Sequence, residues 1–291
     1  MQLFLQTLAN GLLVGAGYAL IAVGLTLVFG ILGVVNFAHG AFFALGAYSV
    51  LMAMNLGVPY PAALLLGLGV VIALGLATER AIVRRSLYGE GNHGSLIVTF
   101  ALSQVLMSSM LLVAGPNPQP VQSPFSQSSL SFLGLFFAGQ RVMILVVSAG
   151  VLATLGLWLK LTVRGSQVLA VAQNPRGALY AGINVPRIRA ISFAVGVGAA
   201  GLAGGLLAPI TSVFPTMGNA SLITSFIVVI LGGMGSISGS LLGALLVGLA
   251  NAFFETYVSV SWTPALGWVM VILILLVAPQ GLRGKTLKHR Y

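Results

Sequence analysis

The feature that most constrains this sequence is the length of its apolar stretches. Residues 8–55 are almost continuously apolar, and similar stretches follow along the chain. About 20 apolar residues in a helix cross the hydrocarbon core of a bilayer, so residues 8–55 are too long for one crossing. Only 5% of the 291 residues are charged, whereas soluble domains carry about 25%. The sequence therefore predicts an all-α polytopic membrane protein, with residues 1–291 forming a single transmembrane domain in the lipid bilayer.

Glycines, prolines and polar clusters divide the apolar stretches into spans. Gly30 and Gly33 mark the natural break in the first stretch. The predicted spans up to the last glycine-rich region are 8–29, 34–55, 59–83, 96–115, 142–161 and 191–209. A polar turn is predicted at 88–94. Residues 116–140 are rich in Pro, Ser and Gln and carry no charge, which predicts an external loop. The N-terminus has no basic residue before its apolar run, which predicts a retained span rather than a cleaved signal peptide.

The apolar residues 222–250 decide the predicted topology. An unbroken helix of this length would reach about 43 Å, well beyond the hydrocarbon core of about 30 Å. The glycine-rich run 232–239 interrupts it and predicts two short passes, or two half-helices that meet near the inner face. A last span is predicted at 266–278, which gives eight to nine transmembrane helices, some of them short or glycine-broken.

The distribution of positive charge fixes the predicted orientation. With nine passes, the N-terminus lies outside and the tail, residues 283–291, lies in the cytoplasm. Twelve of the thirteen basic residues are then cytoplasmic and Arg141 alone is external, as expected when Lys and Arg near span ends stay inside. The net charge of +10 is explained by this anchoring, so no nucleic-acid partner is predicted.

Residues 160–189, here called the polar segment, carry five of the basic residues and no acid. Apolar residues recur within it at spacings near three and four, which predicts a short amphipathic helix over 166–182. They are Val168, Leu169, Ala172, Leu179 and Ile183. Pro175 predicts a bend or a fresh helix start, and Gly182 with Pro186 predicts the end. We interpret the polar segment as a cytoplasmic coupling loop, through which a soluble partner moves the membrane part.

Two glycine-broken interruptions, 30–40 and 232–239, predict a site near the membrane midplane. Asn36 and His39 lie in the first at a spacing of three, which predicts one shared helix face. Two interpretations remain open for them: hydrogen bonds between helices that hold a bend, or side chains that line a translocation path or couple its gating. The candidate path residues are Asn36, His39, Gly40, Gly232, Gly233, Gly235 and Ser236. Gly11/Gly15, Gly201/Gly205 and Gly235/Gly239/Gly243 have the spacing of closely packed membrane helices.

The sequence offers no catalytic, metal or cofactor site. The three acids, Glu79, Glu90 and Glu255, are too few and too scattered for paired-carboxylate catalysis. His39, His93 and His289 lack metal-ligand spacing. Residues 196–201 match a dinucleotide fingerprint in letters, but they lie in an apolar span without a preceding strand. The phosphate-loop-like residues 284–286 lack the first glycine of that motif, because position 279 is proline. We therefore predict a protein without its own ATPase site.

Several of these motifs, taken together, resemble a known family. They are GLTLVFG at 24–30, VVNFAHG at 34–40, AVAQN at 170–174, GIN at 182–184, VVILGGMGSISG at 228–239 and PQGL at 279–282. In this order they are similar to the signatures of branched-chain amino-acid (Liv-type) ABC transporter permeases, of the shorter H type. Many members carry an acid where this chain has Ala41. Relatives in that family are also associated with urea, amides and other amino acids.

The resemblance implies a role and a set of partners. This chain would pair with a second, homologous permease, and two cytoplasmic ATP-binding subunits would dock on the polar loops. An extracytoplasmic solute-binding protein would deliver the solute at the bacterial cytoplasmic membrane. The implied coupling residues are Ala172, Gln173, Asn174, Arg176, Ala178, Gly182 and Asn184. A zwitterionic amino acid could be held by half-helix ends at the glycine breaks.

Two other classes of transporter remain as alternatives. A stand-alone secondary carrier would need a titratable site inside the membrane, for which Glu255 and His39 are the candidates. A passive channel for a small polar solute, such as urea or an amide, could use the glycine-rich breaks as filter-like loops. Neither alternative explains the polar segment, since neither needs a docking helix.

Overall fold

The computed structural model describes residues 1–33, 35–87, 93–132 and 134–284. The predicted polar turn at 88–94 and the predicted tail at 283–291 lie mostly outside these residues, as do Glu90 and His289. Within them the chain is mainly helical. The helices are α1 (Gln2–Leu32), α2 (His39–Asn55), α3 (Tyr60–Thr78), α4 (Arg84–Leu87), α5 (His93–Ala114), α6 (Gly139–Leu161), α7 (Val163–Gln173), α8 (Pro175–Tyr180), α9 (Val185–Thr211), α10 (Met217–Gly232), α11 (Ile237–Tyr257) and α12 (Thr263–Val277).

The predicted class is confirmed. In the part of the chain that the structure describes, seven helices are long and apolar enough to cross a membrane. They are α1, α3 with its continuation to Ser86, α5, α6, α9, α11 and the stretch Val260–Val277 that contains α12. The shorter apolar helix α10 and the 17-residue α2 add to them. Large apolar side chains remain exposed along α3, α5, α6 and α12, as expected of helices that face lipid.

Helices α1 and α9 form the centre of the bundle, since most residues of both are buried. Helix α11 packs along α1, and α2 and α3 pack along α9. The start of α1 lies beside an antiparallel hairpin of β1 (Ser129–Phe132) and β2 (Leu135–Ala138), where the amide of Gln6 bonds the backbone of Phe136 in both directions. The end of α1 packs against α7 and α8. The molecule thus has a hairpin end and a coupling end.

The hairpin was not predicted from the sequence. Residues 116–140 read as an irregular external loop, yet their second half forms β1 and β2, and α6 already begins at Gly139. The loop is also fixed at its other half, because Gln119 and Val213 exchange backbone hydrogen bonds of 2.8 Å. The short strands escape prediction because the alternation over four residues is too brief to stand out.

Glycine permits the closest helix crossings. A Cβ at Gly11 would lie 2.8 Å from the Cα of Leu249, and one at Gly24 would lie 2.5 Å from the carbonyl oxygen of Gly196. At Gly46 it would overlap the backbone of Gly201. The predicted spacing at Gly11/Gly15 and Gly201/Gly205 therefore marks true contacts. Gly235 is an exception, because it lies in a turn with φ of 81° and open space around it.

An ion pair between a buried acid and a partly exposed arginine follows α3, and the arginine also contacts α9. The chain continues from α3 through a π-helical turn, Glu79–Val83, into α4. The Glu79 side chain is 1% exposed and bonds Arg84 at 3.0 Å, while Arg84 also reaches the carbonyl of Pro186 at 3.5 Å. Two charges withdrawn from water are stable only while both are present.

We expect Arg84→Met to destabilise the protein by about 1–2 kcal/mol, because it leaves the Glu79 carboxylate buried without its cation and the Arg84 side chain is itself partly exposed. Arg80→Met is the matched control, since Arg80 is exposed one residue along the same turn. The measurement is thermal stability in detergent. Equal melting temperatures for the two variants would show that the ion pair contributes nothing.

Candidate functional site

An outer cavity of about 550 Å³ opens at the hairpin end of the bundle. Its walls come from α1, α6, α10 and α11, with contributions from α2 and the end of α9. Apolar side chains form most of the lining, among them Leu13, Ile21 and Ile144. Polar groups are few: Tyr18, Thr211, Ser221, Thr224, Asn251 and the charged pair Arg141 and Glu255. This mixture of apolar walls and a few polar groups is typical of sites for small molecules.

A smaller inner cavity of about 100 Å³ lies towards the coupling end. It is lined by Leu25, Phe29, Val35, Phe226, Val229, Ile230 and Met234, all of them apolar. Each predicted interruption contributes one residue, Val35 from the first and Met234 from the second. The interruptions thus meet at this cavity.

One face of α1 borders both cavities. Val14, Tyr18 and Ile21 line the outer cavity, and Leu25 and Phe29 line the inner one. Their spacing of three and four places them on a single stripe. Helix α10 likewise contributes to both cavities, from Met217 to Ile230. The two cavities therefore lie in line between α1 and α10.

The start of α2 lies between the two cavities. Gly40 packs so closely on the backbone of Gly218 that a Cβ at Gly40 would overlap its carbonyl group. Phe43, three residues after Gly40, and Met217, directly before Gly218, line the outer cavity. Val35 lines the inner cavity, so the segment from Val35 to Phe43, which contains the start of α2, runs from the inner cavity to the outer one.

Asn36 and His39 do not share a helix face, because Asn36 precedes α2 and the segment from Val35 to Ala38 is not helical. The backbone N–H and C=O groups of this non-helical segment need other hydrogen-bond partners at membrane depth. The Asn36 side-chain oxygen accepts from Ala38 N at 3.1 Å, and Phe37 N donates to the Thr99 hydroxyl at 3.3 Å. Sequence reasoning gave no sign of Thr99.

His39 is fully buried and bonds another helix. Its Nε2 lies 3.0 Å from the carbonyl oxygen of Ile21 in α1, about three turns before that helix ends. The Nδ1 atom of His39 and the Nδ2 atom of Asn36 have no hydrogen-bond partner among the described residues. The geometry gives both residues a role in holding the unwound start of α2, and neither side chain lines the outer or inner cavity.

Two glycines of the second interruption, Gly232 and Gly233, lie in packed contacts. Gly232 lies against the backbone of Gly239 and Ser240. Gly233, with φ of 101°, packs on Gly281 and Gly284, whose neighbour Arg283 donates its N–H to the Gly232 carbonyl at 3.0 Å. The Ser236 hydroxyl accepts from Gly239 N and caps α11. None of these predicted path residues lines either cavity.

The polar segment contains the two short helices α7 and α8. Asn174 lies between them and is not helical, and Pro175 begins α8, as its position predicted. The side chains of Thr162 and Asn174 cap the two helix starts by accepting from Gly165 N and Gly177 N, each at 3.0 Å. Val168, Val171 and Ala178 pack against Leu27 and Ile31 of α1 and against the beginning of α9. The pair of helices is therefore anchored on α1, next to the residues that line the inner cavity.

The outer face of α7 and α8, here called the coupling surface, holds most of the predicted coupling residues. Ala172, Gln173, Asn174, Arg176, Gly182 and Asn184 are exposed. Ala178 is buried and packs inward instead. The apolar face predicted over 166–182 is not buried as one surface. Val168 is buried, but Ala172 is exposed, Leu169 is 40% exposed and Leu179 is 60% exposed beside Tyr180, which is 88% exposed. The chain forms two helices with Asn174 between them, so a single helical period does not continue from α7 into α8.

Within the four described ranges, no group of three or more His, Asp or Glu side chains could hold a metal ion.

Sequence comparison identifies the family. The model described as branched-chain amino acid transport system / permease component matches residues 7–279. The chain belongs to this family. The LivH permease protein of a high-affinity branched-chain amino acid transport system in Salmonella typhimurium is 31% identical, over 97% of this chain and 96% of that protein. The BraD permease protein of Pseudomonas aeruginosa is 33% identical over the same shares.

A solved structure shows the same fold as this permease. PsaBC from Streptococcus pneumoniae, in complex with a Fab, matches with a TM-score of 0.53 over 94% of this chain and 92% of that chain. The sequence identity is 12%. The permease is thus a multi-pass membrane protein with a transporter-permease fold.

Proposed function

We propose that this permease is the membrane-spanning subunit of a binding-protein-dependent ABC importer for branched-chain or related amino acids. The LivH and BraD relatives are permease proteins of high-affinity branched-chain amino acid transport systems, which supports this solute class. The line of two cavities between α1 and α10 is its translocation path. Asn36 and His39 hold the unwound start of α2, which runs between the two cavities.

The observation that carries the proposal is the contact of the coupling helices with the path helix. Val168, Val171 and Ala178 pack on Leu27 and Ile31 of α1, which alternate with the cavity residues Leu25 and Phe29. A force on the coupling surface therefore acts directly on the helix that borders both cavities. Movement of packed helices against one another is a common way to switch between two states.

The proposed partners bind at the two ends of the molecule. Two cytoplasmic ATP-binding subunits dock at the coupling end, on this chain and on a homologous second permease. An extracytoplasmic solute-binding protein delivers the amino acid at the hairpin end. The N-terminus lies outside and the coupling surface lies in the cytoplasm of a bacterial cell, because the polar segment carries Lys160, Arg164, Arg176, Arg187 and Arg189 without an acid.

Affinity purification of the tagged chain from its native membrane tests the assembly. We expect mass spectrometry to find a second, similar permease and one or two ATP-binding subunits. The control is an equally tagged, unrelated multi-pass protein from the same cells. Recovery of this chain without such subunits, in gentle detergent, would contradict the importer and favour a carrier or channel. A test of ion coupling at Glu255 and His39 would follow.

A further inference from the structure

The outer cavity contains one positive and one negative side chain. Arg141 and Glu255 are the charged groups among the described residues that line it. The ion pair found in the described part of the chain joins Arg84 to Glu79, so neither cavity charge is neutralised by a salt bridge there. Arg141 comes from the start of α6 and Glu255 from the end of α11, on different walls of the cavity.

A neutral polar pair lies deeper in the same cavity. The side-chain nitrogen of Asn251 donates to the Tyr18 hydroxyl at 3.4 Å. The Oδ1 atom of Asn251 is buried and has no hydrogen-bond partner among the described residues. A buried acceptor without a donor is costly, and the residues Tyr18 and Asn251 add a polar patch to the deeper part of the cavity wall.

The remaining wall is apolar. Leu13, Val14, Ile21, Ile144 and Leu207 line it, and the volume of about 550 Å³ lies in the range of roughly 300–1,000 Å³ typical of small-molecule sites. The cavity therefore offers an anion site, a cation site and an apolar surface to one small molecule. A neutral amide or a sugar would leave both charges unused.

We propose that Arg141 and Glu255 form the first binding site for the solute in the permease, and that they hold the carboxylate and the ammonium group of a zwitterionic amino acid whose side chain lies on the apolar wall. This inference rests on the proposed function, and it places the solute at the hairpin end rather than at the glycine breaks. The Glu255 side chain is exposed, which suits a site that receives solute from outside.

The test measures binding of radiolabelled leucine to the detergent-purified permease complex without its binding protein. We expect Arg141→Gln and Glu255→Gln each to weaken leucine binding roughly tenfold or more, the usual loss when a charge-assisted hydrogen bond is removed. Isoamylamine, which lacks the carboxylate, and 4-methylpentanoate, which lacks the ammonium group, should compete weakly. Arg85→Gln is the matched control, because Arg85 is an exposed arginine at the coupling end.

Unchanged leucine binding in both cavity variants would overturn the site, as would competition by either truncated analogue as strong as that of leucine itself. Absence of leucine binding to the wild-type complex would overturn it as well. The proposed function is tested separately by ATP-dependent leucine uptake into proteoliposomes that contain the complete transporter and the binding protein. If uptake depends on ATP but the Arg141 and Glu255 variants bind leucine normally, the importer stands and only the proposed site is rejected.

Discussion

Replacing Leu179 and Tyr180 together with aspartate is expected to abolish ATP-driven uptake and to release the ATP-binding subunits from the complex. Both side chains protrude from α8 at the coupling end, 60% and 88% exposed, and an exposed apolar pair beside polar residues is typical of a contact with another protein. Truncation of the central apolar residues of an interface commonly costs 2 kcal/mol or more each, that is, about 30-fold in affinity. Two charges in their place add the cost of desolvation.

The measurement is the amount of ATP-binding subunit retained on the tagged permease, together with solute-stimulated ATPase activity. Leu56→Asp is the matched control, since Leu56 is 84% exposed after α2, at the far end of the molecule. Full retention and normal stimulated ATPase in the double variant, with the permease properly folded, would exclude the coupling surface as the docking site.

Substitution of Gly46 by alanine is expected to produce the largest loss of stability in the bundle. Gly46 of α2 lies on Gly201 of α9, and the added Cβ would overlap the carbonyl oxygen, the carbonyl carbon and the Cα atom of Gly201. These are backbone atoms of a central helix, so no side-chain rotation relieves the overlap. Overpacking of this kind costs about 3 kcal/mol, which corresponds to a fall of about 5 °C in melting temperature for a chain of this size.

Gly150→Ala is the control for the effect of the substitution itself. Gly150 lies exposed in the middle of α6 with no atom within 4 Å of an added Cβ, and alanine there should be neutral or slightly stabilising because it favours the helix. The comparison uses heated samples followed by size-exclusion chromatography in detergent. Equal melting temperatures for the two alanine variants would mean that α2 and α9 do not cross at Gly46.

Helix positions were predicted well because the lengths of the apolar stretches and the residues that interrupt them determine where helices begin and end. The breaks near Gly33, at Pro175 and between Gly232 and Ser236 all occur where the sequence placed them. Boundaries moved by a few residues, since α1 runs to Leu32 and α9 begins at Val185, where capping residues such as Asn184 extend helices beyond the apolar core. Orientation follows from charge in the same local way and stays a prediction.

The roles of the glycines and polar residues could not be predicted in this manner. Glycine serves equally well in a turn, as at Gly235, and in a helix crossing, as at Gly40, and the sequence does not distinguish the two. The predicted path residues lie in packed contacts and caps. The cavities are lined instead by Tyr18, Arg141, Asn251 and Glu255, from three helices far apart in the chain. The signal that could have found them was the isolation of Arg141 as the one basic residue predicted outside.

The sequence by itself determined the class of protein, the approximate positions of its apolar helices and of the polar segment, and the family, because hydrophobicity, helix breakers and short motifs act over neighbouring residues. Only the tertiary structure decided which faces of α1 and α10 border the cavities, that Leu179 faces outward and that Asn36 precedes its helix. In lipid every face of a helix is apolar, so hydrophobic periodicity does not reveal which side packs inward. That choice is made by close contacts between distant glycines such as Gly46 and Gly201.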